Sequence, residues 1–171
     1  HVRILITAIC HSAEVCKALY ERGIKIQVSD YSKYLFSTIA GGTLEQIFNY
    51  QPELLEHSKY DLKDRFLGYV RQASREWVFN PGVGVLAGII AKVIPFSEIE
   101  KDFRSIIHEL VTDHLKKDNK QGNQGLSNTL RTMKLAISKN PIWRKDEAAR
   151  KFVQEIDETI TTELTARELL K

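Results

Sequence analysis

Histidines, a carboxylate pair and a run of cations are the residues in this chain whose chemistry could exceed packing. A metal ion held on a helix needs ligands three or four residues apart, so that two side chains aim at one point. His108 and His114 are six apart, and neither an E-x-x-H nor an H-x-x-x-H spacing occurs. Glu109 and Asp113 do share a helix face, and with His108 they are the one acid–base set that an all-helical enzyme could assemble from scattered residues. Nucleophilic hydrolysis is not signalled, because no G-x-S-x-G turn is present. The stretch GVGVLAG lacks the lysine and the strand–turn–helix setting of a phosphate loop. The expectation is therefore a chain that is not an enzyme and carries no cofactor and no metal site.

The cations depart furthest from an average distribution. Between residues 116 and 151 ten basic side chains stand against three acidic ones, whereas the whole chain carries only +3. Lys116, Lys117, Lys120, Arg131, Lys134, Lys139, Arg144 and Lys145 are candidates for neutralising phosphates, with Arg150 and Lys151 behind them. Arg71 and Arg75, one helical turn apart, extend that patch if the fold brings them alongside. Trp143, directly before Arg144, either stacks on an unpaired base or, with Ile142, fills the core. The same lysines also suit a merely solubilising surface.

Helices must position these residues. Apolar positions three and four apart mark amphipathic faces at Ile4, Ala8, Val15 and Leu19, at Leu62, Phe66, Val70, Ala73 and Trp77, at Ile99, Phe103, Ile106 and Leu110, and at Ala149, Phe152, Ile156 and Ile160. Shorter helices are expected after Ser29, Thr43 and Pro52, and Gly23 is a natural helix stop. Residues 24–28 fit a short strand as an alternative. The span from Val83 to Ile94 is apolar nearly all round, which predicts a buried central helix, with a strand as the other reading. Gly84 and Gly88 in it are small enough for a second backbone to approach. Asn80-Pro81-Gly82 predicts a turn, and Ser97 with Glu100 a capping box. KKDNKQGNQG, 116–125, has no apolar residue and predicts an exposed, mobile loop, after which Ser127 caps a helix bearing Leu130, Met133 and Ile137.

At 171 residues and 43% hydrophobic the chain can bury one core, so a single domain over 1–171 is expected, an all-α, compact multi-helix bundle with a buried central apolar helix. Cys10 and Cys16 lie about 9 Å apart along a helix axis, too far for a disulfide, and suit a reducing cytoplasm. No stretch reaches the roughly 20 apolar residues of a membrane span. The first residue is His1 and the one methionine Met133, so a start upstream, a start replaced by a tag remnant or an atypical initiation codon is expected.

The helix order, with the basic stretches KKDNKQGNQG, LRTMK and WRKDEAARK, resembles the small subunits of CRISPR effector complexes. That resemblance implies a non-catalytic subunit, in several copies per assembly, contacting the guide–target duplex or a displaced single strand through backbone and not through sequence, beside other protein subunits. The second reading is a protein-interaction or structural bundle without nucleic acid. The third is the scattered-site enzyme.

Overall fold

The structure is a computed structural model that describes residues 18, 21–23, 45, 48–49, 52–75, 81–117 and 120–169; inside its helices the side chains at 54, 81–82, 113–117, 120–123 and 161–169 are not described. The helices expected over 2–22 and after Ser29, the strand alternative at 24–28, both cysteines and Trp77 therefore lie outside the described residues or nearly so. The described part is all-α. Its helices are α1 (Pro52–Gln72), α2 (Pro81–Ile90), α3 (Phe96–Lys117), α4 (Lys120–Ser138) and α5 (Glu147–Leu169), with a 3-10 turn at Trp143–Lys145 between the last two. The chain divides into two compact units, 1–63 and 64–171, with the boundary inside α1.

In the first unit Gly23 has φ 69°, the left-handed conformation that a glycine adopts without a Cβ penalty and that ends helices. Phe48, Leu55, Ser58 and Leu62 are buried there. The second unit is organised around aromatic rings supplied by four different elements. Phe66 of α1 lies 5.9 Å from both Phe103 of α3 and Trp143 of the 3-10 turn. Phe96 and Phe103 of α3 each lie 5.8 Å from Phe152 of α5. These are tilted and stacked contacts within the favourable range for ring pairs. Because each ring is its helix's largest buried group, they fix how α1, α3 and α5 face one another.

α2 is helical and its Val83, Leu86, Ala87, Ile89 and Ile90 are buried, as a central apolar helix requires. Its limits differ from the expected span: Pro81 and Gly82 belong to its first turn, where a proline's missing N–H costs nothing, and turns replace helix from Ala91 to Val93. The helix expected after Pro52 and the one expected from Leu62 are a single helix, which ends at Gln72. Helix α3 begins at Phe96, so Ser97 sits inside its first turn.

The largest correction concerns 116–125. α3 runs through Lys117 and α4 starts at Lys120, so most of the supposed loop is helix. Packing supplies the reason. Gly125 is buried, and a Cβ placed on it would come 2.7 Å from the carbonyl oxygen of Ser74. Only glycine lets the α4 backbone close on the turn that follows α1, and Thr129 Oγ1 donates back to the Gly125 carbonyl (2.9 Å). At Gly84 and Gly88, where close approach was expected, no described atom comes within 4 Å of such a Cβ.

Candidate functional site

The connection from α4 to α5, residues 139–146, is where structural and exposed roles are most closely interleaved. Asn140 is buried at 3% exposure in a loop that must satisfy its own polar groups. Its amide nitrogen donates to the Ala87 carbonyl in α2 (2.8 Å), and its Oδ1 accepts from the backbone N–H groups of Ile142 (2.9 Å) and Trp143 (3.1 Å). Trp143 is 1% exposed and donates its indole N–H to the Ile94 carbonyl (3.2 Å). That burial settles its role: it fills the core and offers no face to a base. Asp146 then starts α5 by accepting from the N–H groups of Ala148 (2.8 Å) and Ala149 (3.3 Å), an N-cap at the positive end of the helix dipole.

The same connection turns its other side chains outward. Lys139, Pro141, Arg144 and Lys145 are exposed, and Ile142 is 45% exposed instead of joining Trp143 in the core. The tight turn imposes this. With Asn140 and Trp143 anchored inward, the residues between and after them must point away. Ile142 and Tyr60 are the large hydrophobic residues exposed among the described ones. No ion pair joins Lys139, Arg144 or Lys145 to any described residue, whereas Lys151 pairs with Glu147 (3.1 Å).

The other sequence-predicted cations with described side chains are spread over α1, the turn after it, α4 and α5. Lys134 pairs with Asp157 of α5. Arg131 is exposed one turn before Lys134 on α4. Arg71 faces Glu109 of α3 at 3.5 Å, and Arg75 is exposed just beyond α1. These two arginines flank Ser74, which touches α4 at Gly125, and Lys139 is fourteen residues further on, about 21 Å along the helix axis at 1.5 Å per residue. Arg71 and Arg75 thus lie beside the first turns of α4 and away from Lys139. The side chains of Lys116, Lys117 and Lys120 lie outside the described residues, as does that of Asp113.

Around the two arginines lies an open cleft of about 330 Å³, lined by Gly68, Arg71, Gln72, Ser74, Arg75, Ile106, Glu109 and Leu110. Of the scattered acid–base set, Glu109 lines this cleft and His108 is exposed outside it. Among the described residues no group of three or more histidine, cysteine or acidic side chains could hold a metal ion. Nor is any described helix long and apolar enough to cross a membrane.

On the far side of α3, Arg104 donates to Glu100 (2.7 and 2.9 Å) and to Glu155 of α5 (2.9 Å), and lies 5.1 Å above the Phe152 ring. The bond to Glu100 raises its pKa above the ordinary guanidinium value, burial works against the rise, and Glu155 adds to it. This arginine is a clamp between helices. Comparison with family models, curated proteins and solved structures finds no match to this chain.

Proposed function

We propose that the chain is a non-catalytic helical interaction module that docks a protein partner through the α4–α5 corner. The observation that carries this is Ile142, an aliphatic side chain 45% exposed between Pro141 and the cations Arg144 and Lys145. An apolar anchor ringed by charge suits a polypeptide surface that offers an apolar pocket with carboxylates at its rim. A phosphate backbone has no use for the isoleucine. Rigidity favours a protein partner too: Asn140 and Trp143 hold the corner's backbone from inside, so little order has to be gained on docking.

The test is purification of the chain from the cells that make it, with and without nuclease, alongside Ile142→Asp. A partner polypeptide that survives nuclease and is lost from the variant is the expected result. Recovery that depends on intact nucleic acid and ignores position 142 overturns it.

A second reading rests on one observation, that Lys139, Arg144 and Lys145 have no ion-pair partner among the described residues. They could contact nucleic-acid backbone in a larger effector assembly of the CRISPR kind, with affinity falling steeply as salt rises. Fluorescence anisotropy with single-stranded and duplex oligonucleotides across salt concentrations separates the two.

A further inference from the structure

We propose that the cleft between the end of α1 and α3 binds a carboxylate that carries a short aliphatic body, and that Glu109 occupies its polar end when no ligand is present. This inference is independent of the docking corner. Arg71 presents Nε to Glu109 Oε2 and Nη2 to Oε1, both at 3.5 Å. That is the two-pronged arrangement in which a guanidinium receives a carboxylate, but each contact is longer than the 2.7–2.9 Å typical of a tight charge-assisted bond. Ser105 Oγ also donates to Glu109 Oε1 (3.3 Å), so the carboxylate is oriented from its own helix as well as by Arg71, by long contacts throughout. Both partners are about half exposed, so solvent screens the pair and its replacement costs little.

Arg75 adds a second cation with no ion-pair partner among the described residues, leaving two guanidinium groups to one internal carboxylate. The backbone that carries them is fixed. Ser74 N–H donates to the Arg71 carbonyl (3.2 Å), Arg75 N–H to that of Gln72 (2.9 Å), and α4 presses on Ser74 at Gly125. Beneath the arginines the lining turns apolar, with Ile106 and Leu110 on α3. Gly68 contributes no side chain, and no described atom lies within 4 Å of where its Cβ would stand. Cationic at one end, apolar along its floor and about 330 Å³ in size, the cleft falls at the small end of ligand sites.

The experiment is a titration of the isotopically labelled 171-residue chain with hexanoate, acetate and inorganic phosphate at constant ionic strength, following the backbone amides of residues 68–75 and 106–110 by NMR. Hexanoate is expected to shift these amides saturably and to bind about tenfold more tightly than acetate, the increment for roughly two buried methylenes. Arg75→Ala weakens it by about fivefold or more, the loss of one charge-assisted contact. Glu109→Gln tightens it about fivefold by removing the internal competitor, as expected when only a fraction of the sites is otherwise open. That last variant separates a binding site from a structural ion pair, since a structural pair gains nothing from it. Absence of a saturable hexanoate shift, phosphate or acetate binding as tightly as hexanoate, or an unchanged affinity in Glu109→Gln overturns the proposal.

Discussion

Two faces of one short connection divide the work of this molecule. On the inner face of residues 140–145, the Asn140 amide nitrogen and the Trp143 indole N–H bond the backbone of α2 and of the segment that follows it, Asn140 Oδ1 accepts from the connection's own amides, and the indole closes the aromatic cluster. On the outer face, Pro141, Ile142, Arg144 and Lys145 meet solvent. The difference teaches that an exposed isoleucine beside a buried tryptophan is not a packing failure here. Asn140 Oδ1 pins the turn's backbone from inside by accepting from the N–H groups of Ile142 and Trp143, so the exposure is built into the turn.

Substitution should separate the two faces sharply. Trp143→Ala removes the ring that touches both Phe66 and Phe96 and is expected to cost about 3–5 kcal/mol in urea unfolding. A loss below about 1 kcal/mol would dissolve the contrast. Asn140→Ala leaves the Ala87 carbonyl and two amides without their partner and should cost about 2–3 kcal/mol. The α4 glycine gives a control away from the corner: Gly125→Ala forces a methyl against the Ser74 carbonyl and should cost about 1–3 kcal/mol. Gly88→Ala, in open space, should be neutral or stabilise by up to about 1 kcal/mol through helix propensity. Asp146→Ala removes the α5 cap for about 1 kcal/mol. On the outer face, Ile142→Ala and Arg144→Ala should move the melting midpoint least, within about 0.5 kcal/mol.

How much of this could be read from residues alone follows the same physics. The faces of α1, α3 and α5 were legible because Phe66 and Val70, Phe103 and Ile106, and Phe152 and Ile156 recur at helical spacing and are buried. The first turns of α4 were not. A polar run carries no apolar period, and its glycines ordinarily break helices; the close approach that requires glycine at 125 is to Ser74, fifty-one residues earlier. Local reasoning also exchanged the glycines, assigning close approach to Gly84 and Gly88. It placed Ile142 beside Trp143 in the core because neighbours in sequence were taken to share an environment, which a tight turn prevents. The candidate cations were named individually, yet their partners were hidden. Glu109 is 38 residues from Arg71 and Asp157 is 23 from Lys134, distances at which no spacing rule operates.

The most direct test of the docking corner is to replace Ile142 with a photo-crosslinking amino acid in the cells that make the protein and identify the adduct by mass spectrometry. A single polypeptide adduct, unchanged by nuclease and displaced when Arg144 and Lys145 are reversed to glutamate, is the result predicted. Nucleotide adducts at that position, or no adduct above a probe placed at exposed Ser138, would contradict it.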